Sequence, residues 1–400
     1  MSERQTPLEG VRVLDLSNLI AGPMLGMYLA DFGAEVIKIE HPSRGDELRN
    51  WGHSKDGVGL MFKMLNRNKK TITLDLSAPS GREPVDRLIE WSDVVIESFR
   101  PGTLERWGLD YESLSRKKRE LIMVRVSGYG QSGPYANRAG FGTVAEAMSG
   151  YAYITGYPDD SPLLPAFGLA DASTAIFGAF GVMLALYERA AGSGQGRLID
   201  LALYEGLLTM LGPQIIDFDQ LGLVQERLGS RLPFVAPRNT YRTADDKWIA
   251  IAGSTQSTFE RIAHALEIDG LLDDPRFADN RSRIDNACEL DEKIQEALVH
   301  WPREEILKRL ASAGAAAGPV YDVRDILQDP HFCARGNVEV VEDEELGPVR
   351  MQNVTPRLGD SPGRIRWAGP PKGRHNREVF VDLIGLEEPE LRELMDRGVV

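Results

Sequence analysis

Asp171 is the residue whose place in the sequence most suggests chemistry. It stands where Ala166-Phe167-Gly168-Leu169-Ala170, a glycine-containing strand or loop, turns into a long apolar run. A carboxylate there has two uses. It can cap the helix that follows, since aspartate is favoured at N-cap positions, and on the sequence alone capping is the simpler role. It can also be a nucleophile: a helix amino terminus favours the anion, and a reference pKa of about 3.9 keeps the group ionised near neutrality. Such an anion attacks an acyl carbonyl without a base to activate it.

Two basic turns could meet an anionic ligand. Leu65-Asn66-Arg67-Asn68-Lys69-Lys70 precedes a predicted strand, and Phe99-Arg100-Pro101-Gly102-Thr103-Leu104-Glu105-Arg106 follows one. Both present cations and backbone amides at strand ends, where ligands of open α/β sheets bind. Taken singly, each reads as a solvated loop with basic residues. A GxGxxG string, Gly128-Tyr129-Gly130-Gln131-Ser132-Gly133, also follows a predicted strand. The residues after it, Pro134 to Gly140, read as loop, so no helix dipole awaits a pyrophosphate and the string is better taken as a glycine turn.

Other chemistries lack their residues. No GxxxxGK[ST] occurs, so no nucleotide cofactor is expected; exchanging one thioester for another is nearly thermoneutral and needs none. The one GxSxG string, Gly359-Asp360-Ser361-Pro362-Gly363, lies in proline-rich and glycine-rich chain rather than at a strand-to-helix elbow, which disfavours hydrolysis. His41, His53, His264, His300, His331 and His375 never fall at i, i+2 or i, i+4, and Cys288 and Cys333 form no CxxC pair, so neither a metal nor a disulfide is expected.

The elements that must position these residues are legible as alternation. Strands are predicted over 11–16, 36–40, 71–76, 94–99 and 121–127, with helical crossovers over 24–31 and 84–91. This is the pattern of a parallel sheet covered by helices, hence a Rossmann-like α/β fold. The run after Asp171, to residue 189, is apolar on every side and predicts a deeply buried helix, stopped by Gly192-Ser193-Gly194-Gln195-Gly196 before a strand over 197–203. Beyond about residue 225 the texture changes to a strand over 248–252 and charged amphipathic helices over 256–265, 288–300 and 304–313. We therefore expect a large domain over 1–215, a smaller α+β domain over 216–328, and a C-terminal segment over 329–400 that returns to the first.

Length and charge agree with two domains and a small anionic ligand. Four hundred residues exceed the usual span of one core. Sixty acidic against 46 basic residues give a formal charge of −14, the wrong sign for nucleic acid or an anionic membrane. MSERQTPLEG has no apolar stretch behind a basic start, and the uncharged run over 174–187 is shorter than the ~18 residues of a span. A cytoplasmic location is expected.

Together these pieces resemble the class III CoA transferases, the formyl-CoA and carnitine CoA-transferase family, across essentially the whole chain. The resemblance rests on Pro7-Leu8-Glu9-Gly10-Val11-Arg12-Val13-Leu14-Asp15, Ala21-Gly22-Pro23, Gly33-Ala34-Glu35-Val36-Ile37-Lys38-Ile39-Glu40, Arg67-Asn68-Lys69, Glu97-Ser98-Phe99-Arg100-Pro101-Gly102, the turn from Ser127 to Pro134, and Gly194-Gln195-Gly196. It implies that Asp171 relays an acyl group as a mixed anhydride and then an aspartyl-CoA thioester. It implies coenzyme A, held as acyl-CoA, against Ala21, His41, Asn66, Arg67, Asn68, Phe99, Arg100 and Arg106, with Phe141 near the thioester. It implies a small carboxylic acid as the second substrate and an interlocked homodimer.

Some positions depart from the family. Ile20 replaces the glutamine of formyl-CoA transferases, which argues against formyl or oxalyl specificity; His41 replaces their adenine-stacking arginine; and Gly253-Ser254-Thr255-Gln256 is the nearest stretch to their glycine-rich lid. The related α-methylacyl-CoA racemases carry a histidine where this chain has Phe141, which cannot shuttle a proton. Racemase-like isomerisation is therefore the lesser alternative to transfer, and a non-catalytic CoA-binding subunit a third. The identity of donor and acceptor acid is not written in the sequence.

Overall fold

The computed structural model describes residues 6–400; the first five, which begin the segment read as lacking a secretory signal, lie outside the described residues. The chain runs β1 (Arg12–Asp15), α1 (Ala21–Asp31), β2 (Glu35–Glu40), β3 (Lys69–Thr73), α2 (Arg82–Trp91), β4 (Val94–Glu97), α3 (Thr103–Trp107), β5 (Ile122–Ser127), α4 (Gly142–Met148), α5 (Leu169–Glu188), β6 (Leu198–Ala202) and α6 (Leu203–Met210), with shorter pieces between. The six strands form one sheet in the order β3-β2-β1-β4-β5-β6, every neighbouring pair parallel. The interior strands β4 and β5 are buried along their whole length, as expected of a parallel sheet covered on both faces. Helix α2 shows how the cover is built: Pro84, Val85, Leu88 and Ile89 turn inward on one stripe. Each such apolar side chain adds roughly 1.5–3 kcal/mol by leaving water.

Contacts divide the described chain into a unit of residues 6–150, 165–212 and 331–400 and a unit of residues 151–164 and 213–330. The segment 151–164, expected within the first domain, groups with the second unit. The Arg227 guanidinium donates to the Tyr153 and Tyr157 carbonyls, and the Gly229 N–H donates to the Gly156 carbonyl. Those partners lie seventy or more residues apart, too far for local patterning to foresee.

The second unit has a three-stranded antiparallel sheet, β7 (Arg238–Arg242), β8 (Trp248–Ala252) and β9 (Ala317–Pro319), with β8 in the middle. Ile249 and Ile251 on β8 pack with Phe259, Ile262, Leu290, Ile294, Ile306 and Leu310 from the amphipathic helices. In the first unit, the last 70 residues add a hairpin of Val338–Asp343 and Gly347–Gln352 and a final helix whose Leu391 and Leu394 join the sheet's core.

Two expectations change. The third strand begins at Lys69 rather than Thr71, because Lys69 is wholly buried and paired with Asp15, so the charge does not end the strand. Helix α5, read as buried on every side, buries one face only: Ala170, Ser173, Thr174, Gly178, Val182 and Ala185 face inward, while Ile176, Phe180, Met183, Leu184 and Tyr187 are exposed. The helix is long and apolar enough for a membrane span by composition, but here its inner face packs on α1, α6 and the sheet.

Candidate active site

In this strand order the direction of winding reverses between β1 and β4, and ligands of such sheets bind outside the carboxyl ends at that point. The turns leaving those two strands lie there and are tied together: the Asn18 N–H donates to Ser98 Oγ at 2.9 Å. Leu19 adopts a φ of 67°, rarely taken by a residue with a side chain, and its N–H donates to Asp46 Oδ1 at 3.1 Å. Asp46 is itself fixed by a fully buried ion pair with Lys38 at 2.9 Å, and Lys38 also donates to the Ser17 carbonyl. The strained loop thus stands on a rigid ionic floor.

Two adjoining cavities open at this edge, of about 700 and about 390 Å³, and share Asn18, Leu19, Ser98, Ser127, Gly128, Gly140 and Phe141 in their walls. Asp171 lines the larger one. It is the third residue of α5, not its cap; the N-cap position is Gly168, and the first-turn N–H groups of Leu169 and Ala170 donate to Glu146 Oε1 at 3.0 and 3.3 Å. The capping role that the sequence favoured for Asp171 therefore falls to Glu146, a buried residue on α4 that sequence reasoning missed. Gly142 and Gly168 make room for the Asp171 carboxylate: a Cβ on Gly142 would sit 2.3 Å from Oδ2, and one on Gly168 would sit 3.1 Å away.

Burial, reinforced by the negative charge of Glu146, pushes the Asp171 carboxyl up to about 6, against the N–H groups of Asp171 and Ala21, which favour the anion. Ala21 opens α1, so the carboxylate lies at the amino ends of two helices. No lysine, arginine or histidine lines this cavity among the described residues. At neutral pH the group is still mostly ionised, yet more basic than a solvated aspartate. That combination suits a nucleophile.

The smaller cavity has the opposite character. Arg44, Arg100 and Arg138 line it with His41 and Phe99. All three arginines are exposed, and none makes an ion pair among the described residues. Arg138 lies 3.6 Å over the Tyr135 ring, and His41 Nδ1 accepts the Ser43 N–H, which leaves Nε2 to carry the proton of the neutral ring. The turn bearing Phe99 and Arg100 is braced from below. Glu97 accepts from the Phe99 N–H at 2.7 Å and from Arg125 at 2.6 Å, and Arg125 reaches on to Glu105 of α3. Burial raises the Glu97 carboxyl to about 7 despite these donors.

Of the residues the resemblance brought together, Asp171, Ala21 and Phe141 line the larger cavity, and His41, Phe99, Arg100 and Phe141 the smaller. Asn66, Arg67 and Asn68 do not line either. Arg67 forks onto Asp31 at 2.6 and 3.0 Å and reaches the Gln352 carbonyl; Asn68 binds Asp31 and the 364–366 backbone; Asn66 accepts from Lys69. All three are buried; Arg67 and Asn68 join the C-terminal segment to the sheet, while Asn66 Nδ2 has no partner among the described residues. Arg106 bonds Thr103 and is also outside the cavity walls. Arg44 and Arg138 were missed; their only signal was a positive charge in a loop. Among the described residues no group of three histidine, cysteine or acidic side chains is spaced to hold a metal.

Residues 8–376 match CoA-transferase family III. The chain belongs to that family. Like its relatives, this family III enzyme is an acyl-CoA:carboxylate CoA-transferase. It is 45% identical, over 98% of both chains, to the succinyl-CoA–D-citramalate CoA-transferase of Chloroflexus aurantiacus, and 35% identical, over 97% of this chain and 98% of the other, to the succinate–glutarate CoA-transferase of Agrobacterium fabrum. Among solved structures, a CAIB/BAIF family protein from Brucella suis matches with a TM-score of 0.85 at 34% identity, over 95% of this chain and all of that one.

Proposed function

We propose that the enzyme moves CoA from succinyl-CoA to a second small dicarboxylic acid, with Asp171 as the covalent relay. The observation that carries this reading is the pair of adjoining cavities, one with three guanidinium groups that make no ion pair among the described residues and the other with a buried, basic carboxylate. The acyl-CoA phosphates meet Arg44, Arg100 and Arg138, where arginine suits phosphate by charge and geometry. His41 and Phe99 flank the nucleotide, and the pantetheine arm runs past Phe141 and Ala21 towards Asp171.

The chemistry balances without a proton donor. An Asp171 oxygen bonds to the thioester carbon, the carbon–sulfur bond breaks, and its electron pair leaves on the CoA thiolate, giving a mixed anhydride. The thiolate then attacks the aspartyl carbonyl and releases the donor acid. The acceptor carboxylate attacks the aspartyl thioester, and the returning thiolate takes the acceptor acyl group, restoring Asp171. Phe141 in the same cavity supports transfer over isomerisation, since it cannot accept a proton.

The names of the relatives support succinyl-CoA as donor and a C4 or C5 dicarboxylate as acceptor. The exposed stripe of Ile176, Phe180, Met183, Leu184 and Tyr187 supports a homodimer that covers it. The acidic surface charge agrees with a soluble cytoplasmic enzyme. A mass-spectrometric panel of succinyl-CoA against malate, citramalate, glutarate and monocarboxylates tests the assignment: new acyl-CoA from the dicarboxylates supports it, and transfer only to monocarboxylates refutes it.

A further inference from the structure

We propose that Glu146 is the positioning residue for Asp171, holding the turn that carries it while presenting a like charge to it across their common cavity. This rests on the covalent reading of Asp171. Glu146 is 4% exposed and lines the cavity that Asp171 lines. Its Oε1 occupies the Leu169 and Ala170 N–H groups. With two first-turn donors taken by another helix, the Asp171 carboxylate keeps its own N–H and that of Ala21 and faces the cavity.

The charge acts in the direction of the reaction. Acylation turns the Asp171 anion into a neutral anhydride, so repulsion from Glu146 opposes the free carboxylate but not the acylated one. The other titratable groups on elements packed against α5 are otherwise engaged or remote. Asp31 of α1 is bound by Arg67, Arg125 of β5 by Glu97 and Glu105, Asp200 of β6 by the Gln131 N–H, and Glu205 of α6 by the Ala202 N–H. Neither these nor Tyr28 of α1 and Tyr204 of α6 line the Asp171 cavity.

Glu146→Gln and Glu146→Ala separate the two roles. The glutamine oxygen can still accept both N–H groups while the charge is gone. We expect Glu146→Gln to melt close to wild type, to move the acid limb of kcat/KM down by roughly half to one pH unit, and to lower the plateau several-fold. Glu146→Ala loses the hold on the turn as well and should lower kcat further, with a lower melting temperature. An unmoved acid limb in Glu146→Gln, or wild-type kcat in Glu146→Ala, overturns the proposal. Hydroxylamine trapping on wild type keeps the two readings apart. Trapping at Asp171 with an unmoved limb defeats this inference alone; no trapping during turnover defeats the covalent reading itself.

Discussion

Two basic turns at opposite edges of the sheet, one before β3 and one after β4, have similar composition and opposite fates. In residues 67–69 every side chain is buried and matched by a partner from elsewhere in the chain, Asp31 or Asp15 or the backbone of residues 352–366. In residues 99–101 the arginine is left exposed without an acid, although acids outnumber bases in this chain by 60 to 46. An unmatched cation in an acidic protein marks a place for a ligand's anion; a matched one holds the fold. The same contrast separates two aspartates. Asp31 is forked by Arg67, whereas Asp171 has only backbone N–H groups and a neighbouring glutamate.

The contrast breaks most visibly at Arg67. Arg67→Ala leaves Asp31 buried without its partner and should cost about 3–5 kcal/mol of stability, read by thermal or urea melting. Loss of acyl-CoA affinity without loss of stability would move Arg67 to the ligand side. Arg100→Ala should do the reverse: melting unchanged, and KM for the acyl-CoA raised about 10- to 100-fold, as for a lost charge-assisted contact of about 1.5–3 kcal/mol. Arg44→Ala and Arg138→Ala should follow at roughly threefold to tenfold.

Acid sharpens the comparison on the anionic side. Asp171 attacks only as the carboxylate, and its carboxyl is raised to about 6, so kcat/KM should fall as pH drops through 6, by about tenfold at pH 5. The sign for stability is opposite. A carboxyl raised on folding disfavours the ionised native state, so Asp171→Asn should melt no lower than wild type at pH 7. The smallest effect is salt: KM for acyl-CoA should rise modestly with ionic strength if exposed arginines hold it, and stay flat if buried Arg67 does.

Much of this was legible in the sequence. The buried β-branched runs located the sheet, and the loop-to-helix junction singled out Asp171. What escaped were pairings between distant positions. Nothing local to Arg67 reveals Asp31 or residue 352, and nothing local to Asp171 reveals that Glu146, 25 residues upstream, caps its helix. Residues 151–164 joined the second unit for the same reason, through contacts with residues 227 and 229. Helix α5 misled because apolarity on all sides does not tell which face the chain's own core covers.

Intact-mass and peptide analysis during turnover tests the central claim most directly. Wild-type enzyme mixed with succinyl-CoA should carry a CoA or succinyl adduct on the peptide containing Asp171, convertible to a hydroxamate by hydroxylamine, and Asp171→Asn should carry none. An active enzyme that never acquires the adduct, or an Asp171→Asn variant that still does, would contradict it.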